Sequence, residues 1–222
     1  MLGLLGHNGA GKSTTLQMLT GCLLPDDSAT TECSIEICGT DLLRHPTLAK
    51  AHIGYLPEAP PLYRELNVDD YLIFAARLRG MKPEKVADAL ATTKQRCGLA
   101  TAGRKTIGTL SKGYQQRVGI AQAIIHNPDV IVLDEPTVGL DPSQIREVRA
   151  LIRELGDAHS VILSTHLLGE VVSICDRVEI LHRGTLVYSG TTAALDSHGG
   201  VAGNLEENFI RLTESQATEA QP

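Results

Sequence analysis

A glycine-rich stretch near the start of the chain has the residue types and the spacing that bind phosphate. It consists of Gly6, His7, Asn8, Gly9, Ala10, Gly11, Lys12, Ser13 and Thr14. Two glycines separated by four residues and followed by lysine and serine form a P-loop pattern, whose backbone N–H groups and following helix N-terminus attract anions. Lys12 would reach the β- and γ-phosphates, and the Ser13 hydroxyl is an oxygen ligand of the kind that Mg²⁺ takes. The stretch predicts nucleotide binding; the alternative is a glycine-rich turn with a chance lysine.

A pair of acidic residues, Asp134 and Glu135, follows the apolar run "VIVL" at 130–133. An aspartate at the end of a buried strand can hold the Mg²⁺ of a bound nucleotide, directly or through water. The next residue, a glutamate, can accept a proton from an attacking water, which contributes roughly 10²–10⁴-fold to a rate. In isolation the pair is a solvated acidic turn, but together with the P-loop it predicts a metal site and a general base.

Two further polar residues follow apolar runs and are candidates for the same site. His166 follows "VILST" and is a candidate contact for the γ-phosphate, the alternative being a packed or surface histidine. Glu58 lies in "GYLPEAPP" and is a candidate for a second polar group near the metal, the alternative being a loop glutamate.

A second potential anion site lies in "TLSKGYQQR", at 109–117. Ser111 is placed to cap the helix that follows. The Ser111 hydroxyl and the Gly113 amide at that helix N-terminus would form a phosphate site. An ordinary capped helix is the alternative, and the residues alone favour it.

Four short apolar runs, at 1–5, 52–56, 130–133 and 161–164, predict the strands that position these groups. Three of the runs are nearly continuous in apolar character, which is typical of parallel strands buried on both faces. Polar residues follow each run at once, and ligands of open parallel α/β sheets lie beyond the carboxyl ends of the strands. We therefore predict that these polar groups meet at one edge of a mostly parallel sheet.

The domain organisation follows from the texture of the chain between these strands. Residues 62–110 contain helical patterns near 68–79 and 84–97 without a convincing strand, and predict a helical subdomain with the 111–117 motif at its end. The α/β core then comprises 1–61 and 111–198. Residues 199–222, rich in Gly, Glu, Thr and Gln, predict a partly disordered C-terminal tail.

Two local signals add detail to the core. Asp141 and Pro142 are placed as the N-cap and the first residue of a helix. Residues 177–190 predict a hairpin that turns at Arg183 and Gly184.

The composition argues against several classes of protein. No run approaches about 18 consecutive apolar residues, so no membrane-spanning helix is predicted. The net charge of −6 and an aromatic content of 3% disfavour a nucleic-acid partner. The five cysteines form no CxxC pair and indicate reduced thiols, and a redox or metal role for Cys33 and Cys38 is not favoured.

Taken in order, the P-loop, "LPE", "LSKGYQQR", "VIVLDEPTVGLDP" and "STH" resemble the nucleotide-binding subunits of ATP-binding cassette (ABC) transporters over residues 2–195. The segments "IGYLPE", "LSKGY" and "PTVGLDP" are similar in particular to the ATPases of ABC-2 type exporters. The resemblance implies an α/β fold, with a P-loop NTPase (RecA-like) core of mostly parallel sheet and an inserted α-helical subdomain. It also implies an ATPase that uses ATP and Mg²⁺ to drive a substrate through a separate membrane permease.

The resemblance further implies a role for each motif. Residues 6–14 are the Walker A loop, Asp134 and Glu135 are the Walker B pair, and Glu135 is the catalytic base. The other implied positions are the signature (Ser111 to Tyr114), the D-loop (Leu140 and Asp141), the Q-loop (Glu58) and the switch histidine (His166). The implied ATP contacts are residues 6–14, Glu58, Ser111, Gly113 and Asp141, and the implied Mg²⁺ ligands are Ser13, Asp134 and Glu58. Because the signature of one subunit faces the ATP of the other in this family, a homo- or heterodimer with two ATPs at its interface is expected.

Three departures from the family pattern bear on these roles. Glu58 stands where most members have glutamine, which adds negative charge near ATP. The signature reads Leu-Ser-Lys-Gly-Tyr instead of Leu-Ser-Gly-Gly-Gln, although Ser111 and Gly113 are kept. Family members have strands and an adenine-stacking aromatic before the P-loop strand, whereas five residues precede Gly6 here, which predicts an N-terminally truncated chain or a misassigned start.

The leading hypothesis places the protein in the cytoplasm, held at the inner face of the plasma membrane by a permease that contacts residues 58–110. One alternative is a soluble ABC-type ATPase that acts on ribosomes or DNA, a class that carries two cassettes or long coiled coils. The other is a truncated, non-hydrolysing remnant with a binding or regulatory role.

Overall fold

The computed structural model describes residues 1–26, 33–197 and 205–214, and a mostly parallel sheet forms the centre of this part of the chain. Its strands are β1 (Leu2–Leu5), β4 (Ile53–Leu56), β5 (Val130–Asp134), β6 (Ser160–Thr165), β7 (Arg177–His182) and β8 (Thr185–Thr191). Their order is β4-β5-β6-β1-β7-β8, and every pair is parallel except β7 with β8. A separate small hairpin is formed by β2 (Glu36–Ile37) and β3 (Thr40–Asp41).

The apolar runs form these strands because helices cover both faces of the sheet. In β5, Ile131, Val132 and Leu133 are all buried, although their side chains alternate between the faces. The four predicted strands and the hairpin that turns at Arg183 and Gly184 are confirmed. Both turn residues have positive φ, 48° and 80°, as a two-residue type I′ turn requires.

Helices occupy the intervals between the strands. They are α1 (Lys12–Leu19), α2 (Pro46–Ala51), α3 (Val68–Leu78), α4 (Pro83–Arg96), α5 (Lys112–Ile124), α6 (Pro142–Gly156), α7 (Leu168–Ile174), α8 (Thr192–Asp196) and α9 (Leu205–Glu214). None of these helices is long and apolar enough to cross a membrane, a finding that covers only the described residues. The helices predicted near 68–79 and 84–97 are α3 and α4, which contact each other and α5.

The α9 helix is a feature that the sequence analysis does not predict. It lies within the region 199–222, for which a partly disordered tail is predicted; residues 199–204 and 215–222 lie outside the described residues. Asn208 is buried and donates to the carbonyl oxygens of Leu195 (3.0 Å) and Asp196 (3.3 Å). The buried Phe209 ring lies 5.1 Å from the His7 ring, centroid to centroid, so α9 contacts the glycine-rich loop.

Candidate functional site

The glycine-rich loop connects β1, at the middle of the sheet, to α1. Gly11 has a φ of 102°, a left-handed conformation that glycine adopts without steric cost. A Cβ atom on Gly6 would collide with the carbonyl oxygen of Leu181, so only glycine fits there. The Gly184 N–H donates to the Ala10 carbonyl oxygen at 2.8 Å, so the β7–β8 turn is hydrogen-bonded to the glycine-rich loop.

The loop borders a cleft of about 360 Å³, which lies within the usual size range of small-ligand sites. The cleft is lined by Asn8, Gly9, Ala10, Gly11, Lys12, Ser13, Thr14, Glu58, Glu135, Val138 and His166. These residues follow β1, β4, β5 and β6, which are neighbours in the sheet. The structure therefore brings the polar residues that follow four separate apolar runs to one edge.

Three oxygens of the described residues surround the Lys12 ammonium, which is only 6% exposed. Its Nζ donates to the carbonyl oxygens of Gly6 (2.8 Å) and His7 (3.3 Å), and lies 3.2 Å from Glu135 Oε1. An ammonium has three N–H donors, so these contacts match its capacity. A phosphate oxygen that binds this cation would therefore take the place of one of the three oxygens.

Asp134, at the end of β5, is held against the glycine-rich loop. Its Oδ1 accepts hydrogen bonds from the hydroxyls of Ser13 (3.1 Å) and Ser164 (2.5 Å). The Ser13 hydroxyl and the Asp134 carboxylate are hard oxygen donors, which Mg²⁺ prefers. Because the two side chains are in direct contact, they are candidates to hold one metal ion together.

Glu135 has an unusual backbone conformation that aims its carboxylate into the cleft. Its φ of 46° is uncommon for a residue other than glycine and costs about 1–2 kcal/mol. The Glu135 N–H is held by the Ser164 hydroxyl (3.0 Å) and carbonyl (3.2 Å) oxygens. The carboxylate contacts both Lys12 and the Nδ1 atom of His166, the latter at 2.9 Å. An acid or base at this position is thus oriented from both sides.

Two residues that the sequence analysis missed hold this arrangement together, and the first is Ser164. Its hydroxyl donates to Asp134 and accepts from the Glu135 backbone, so it positions both acidic residues. A signal was present, because Ser164 directly follows the apolar residues 161–163 at the end of a strand whose neighbouring strand end carries Asp134.

The second missed residue is Glu170 on α7, which is 1% exposed. Its carboxylate accepts hydrogen bonds from Thr137 and from Thr165 (2.7 Å), and pairs with Arg149 at 3.1 Å. Thr137 lies two residues after Glu135, and Thr165 lies directly before His166. Glu170 therefore ties the loop after β5 to the loop after β6.

A second cluster contains the remaining predicted residues. Ser111 caps α5 by accepting from the Tyr114 N–H (3.4 Å), and Asp141 caps α6 by accepting from the N–H groups of Ser143 and Gln144 (3.0 Å each). These bonds, that from Gln144 first, lower the pKa of Asp141 below its usual value. A Cβ on Gly113 would lie 2.5 Å from Gln144 Cδ, so the two helix starts are in contact.

The structure does not join the two clusters in one chain. Among the described residues that line the cleft, none is Ser111, Gly113 or Asp141. The predicted residues thus fall into a glycine-rich loop cluster and a separate cluster at the starts of α5 and α6.

A parallel sheet with a glycine-rich phosphate loop after its central strand and an Asp–Glu pair after a neighbouring strand defines a P-loop NTPase core. The chain belongs to the ABC transporter family. The sequence model of that family, described as "ABC transporter", matches residues 1–138. This assignment implies nucleotide binding.

Individual relatives agree with the family. The chain is 39% identical to the uncharacterized ABC transporter ATP-binding protein YxlF of Bacillus subtilis, over 84% of this chain and 60% of that protein. It is 33% identical to the linearmycin resistance ATP-binding protein LnrL of the same organism, over 98% of this chain and 67% of that protein. It is 36% identical to the bacitracin transport ATP-binding protein BcrA of Bacillus licheniformis, over 83% and 58%. The chain thus spans about 60% of the length of several curated relatives that it matches.

Solved structures show the same fold. A structure described as the ATP binding subunit of an ABC transporter matches with a TM-score of 0.83 and 32% identity, covering 96% of this chain and 88% of that one. The cbiO1 protein of Clostridium perfringens, described as part of the ABC transporter complex cbiONQ, matches with a TM-score of 0.78 and 25% identity, over 97% and 86%. The predicted fold class is confirmed.

Proposed function

We propose that this protein is the ATP-binding and ATP-hydrolysing subunit of an ABC transporter, and that it drives a substrate through a separate membrane permease. One observation carries the proposal: the glycine-rich loop, Glu135 and His166 meet around one cleft, while the Ser111 cluster lies apart from it. In one copy the base and the phosphate loop are in place, but the second anion-binding helix is missing from the cleft. A head-to-tail dimer would complete the site, because the other copy would supply that helix.

In this proposal the phosphates of ATP lie along the glycine-rich loop. The loop amides and the α1 N-terminus attract the phosphates, and Lys12 contacts the β- and γ-phosphates as a cation. Ser13 and Asp134 would hold Mg²⁺, and Glu58, which also lines the cleft, would be a further oxygen ligand. When bound, Mg²⁺ offsets the negative charge that develops on the phosphate oxygens.

Hydrolysis requires a base next to the γ-phosphate, and Glu135 is the residue placed for it. Its carboxylate accepts a proton from the attacking water, while His166 orients the carboxylate through the 2.9 Å contact and also faces the phosphate. Ser164 and Glu170 hold the segments that carry Glu135 and His166 in a fixed position relative to each other.

The second cluster supports the dimer in this proposal. Ser111 and Gly113 at the start of α5 would bind the γ-phosphate of ATP held by the other copy, and Asp141 at the start of α6 would lie at the same interface. Because each copy then contributes one half to each of two sites, the interface is isologous and closed.

A permease contact is supported by exposed apolar side chains on the helical segment. Tyr63, Phe74 and Leu78 are 54%, 39% and 71% exposed, and the ring centroids of Tyr63 and Phe74 are 5.5 Å apart. Aromatic residues of this kind are enriched at protein interfaces. Two relatives are named for linearmycin resistance and bacitracin transport, which favours export as the direction of movement. The protein would then lie at the cytoplasmic face of the membrane.

The experiment compares Glu135→Gln with the unchanged protein, and uses Glu84→Gln on the exposed face of α4 as the matched control. We expect Glu135→Gln to lose at least about 100-fold in ATP hydrolysis because the general base is gone, while it still binds ATP. Because the bound ATP persists, this variant should form dimers in light-scattering chromatography only when ATP is present. Hydrolysis at the unchanged rate in Glu135→Gln would contradict the proposed base. ATP binding without any hydrolysis in the unchanged protein would favour the non-hydrolysing alternative.

A further inference from the structure

Three side chains with metal-binding chemistry meet at the edge of the sheet opposite the cleft. They are Cys38, His52 and Asp129, and one ligand atom from each lies within 4.8 Å of the other two. His52 immediately precedes β4 and Asp129 immediately precedes β5, so they lie at the amino ends of these strands. The cleft lies beyond the carboxyl ends of the same strands, and the cluster is therefore distinct from the nucleotide site.

His52 and Asp129 are held in position by the rigid part of the fold. The parallel register pairs Ile53 with Val130, which places the preceding residues side by side. The Val130 N–H donates to the His52 carbonyl oxygen at 3.0 Å, and His52 Nδ1 lies 2.6 Å from Asp129 Oδ2. Two of the three ligands are thus preorganised by a neighbouring pair of strands.

Cys38 comes from the turn of the small β2–β3 hairpin. The register pairs Ile37 with Thr40, so Cys38 and Gly39 form the two-residue turn, with φ values of 49° and 77°. A turn with two positive φ values favours asparagine, aspartate or glycine at its first position. Cysteine brings no such conformational benefit, so the turn itself does not account for its presence. Its thiol is exposed and reachable from solvent.

We propose that Cys38, His52 and Asp129 bind a divalent transition-metal ion, with Zn²⁺ as the best match. Thiolate, imidazole and carboxylate are the three ligand types that Zn²⁺ takes, and three protein ligands leave a fourth tetrahedral position for water. Zinc–ligand distances of about 2.0–2.3 Å place the ligand atoms about 3–4 Å from one another. The ligand atoms already lie within 4.8 Å of one another, so small changes in the side-chain torsions would bring them to these distances. The ion would then take the place of the proton between His52 Nδ1 and Asp129 Oδ2. The Cys38 thiol also releases its proton when it coordinates the ion.

The bound ion would fasten the β2–β3 hairpin to the central sheet. Each strand of that hairpin is only two residues long, and an isolated two-stranded hairpin is marginally stable in water. A metal that joins the hairpin turn to the starts of β4 and β5 would therefore add a link to a short two-stranded pair.

The test uses the full chain under reducing conditions, with Mg²⁺ in excess so that hard-oxygen sites are saturated. Zn²⁺ binding is measured by titration calorimetry, and Co²⁺ is the spectroscopic probe. We expect one ion per chain and a thiolate-to-cobalt charge-transfer band. We also expect slower amide hydrogen exchange at Ile37–Thr40 when Zn²⁺ is added. Cys38→Ser and His52→Gln should each weaken Zn²⁺ binding by more than about 10-fold, since even outer-shell changes cost 10–100-fold.

Cys33→Ser is the matched control, because Cys33 is an exposed cysteine outside the cluster. It should leave the affinity and the cobalt band unchanged. The proposal is overturned if the cobalt complex has no charge-transfer band, if Cys38→Ser binds Zn²⁺ as tightly as the unchanged protein, or if Cys33→Ser loses as much affinity as Cys38→Ser. None of these readouts depends on ATP hydrolysis, so they are independent of the proposed function.

Discussion

At the residue scale, the site combines candidate reacting side chains in the cleft, such as Lys12 and Glu135, with other side chains, such as Ser164 and Glu170, that hold the surrounding segments in position. Lys12, Asp134 and Glu135 have the types and spacing of a nucleotide site, and the sequence predicts them. The sequence does not predict Ser164 and Glu170, because their roles arise from contacts between segments that are distant in the chain. A serine or a glutamate has many uses, so only the fold shows that these two are buried and bonded to the site.

The contribution of Ser164 can be measured directly. We expect Ser164→Ala to lower the free energy of unfolding by about 1–3 kcal/mol, because it removes one donor from buried Asp134 and one acceptor from the Glu135 N–H. Ser160→Ala, at the exposed start of the same strand, should change it by less than about 0.5 kcal/mol. Urea unfolding of both variants measures the difference, and equal effects would show that the buried hydroxyl has no special role.

At the scale of elements, the sequence predicts the strands and the helical segment, whereas it leaves α9 and the Cys38 cluster unpredicted. A short continuous apolar run such as "VIVL", rich in β-branched residues and bounded by polar ones, is typical of a strand buried on both faces. The α9 helix does carry a helical apolar stripe, since Leu205, Phe209 and Leu212 recur at intervals of four and three residues, but the polar, glycine-rich composition around it favours disorder. The sequence analysis disfavours a metal role for Cys38, and the proposal above departs from it. His52 and Asp129 lie 14 and 91 residues after Cys38, so no motif spacing connects the three side chains.

The attachment of α9 to the glycine-rich loop gives a second prediction. Phe209→Ala removes a buried ring, which typically costs about 3–5 kcal/mol. Since α9 is peripheral, we expect the loss to appear as local undocking, with amide exchange in α9 faster by about 100-fold or more. Ile210→Ala, at a side chain that is 47% exposed, is the control and should leave exchange nearly unchanged. Unaltered exchange in Phe209→Ala would mean that the ring does not hold the helix.

At the scale of the whole molecule, the central question is how the two clusters of candidate residues are joined. In the described residues the start of α5 contacts the start of α6 and does not line the cleft. A sequence lists both clusters without saying whether one chain brings them together. Within one chain the two clusters do not form a single cleft, and the proposed site therefore needs two copies of the chain.

Mixing two inactive variants tests this arrangement. Lys12→Ala should abolish hydrolysis through the phosphate loop, and Ser111→Arg through the opposing helix start. In a mixture, each heterodimer has one site made of the two intact halves, so we expect an equimolar mixture to recover about a quarter of the original ATPase rate. Each variant alone, at the same total concentration, is the control. No recovery on mixing, with heterodimers shown by mass, would argue against sites shared between copies.

The three oxygens around the Lys12 ammonium have a consequence for the timing of the reaction. An incoming phosphate can gain the third lysine hydrogen bond only by displacing the Glu135 carboxylate, since the other two bonds are to loop carbonyls. If the cleft binds ATP as proposed, the arrival of a phosphate at Lys12 and the release of the Glu135 carboxylate from Lys12 would be one exchange of partners. In the proposed ATPase, the ion pair with Lys12 would thus keep Glu135 from acting on water while the cleft holds no nucleotide.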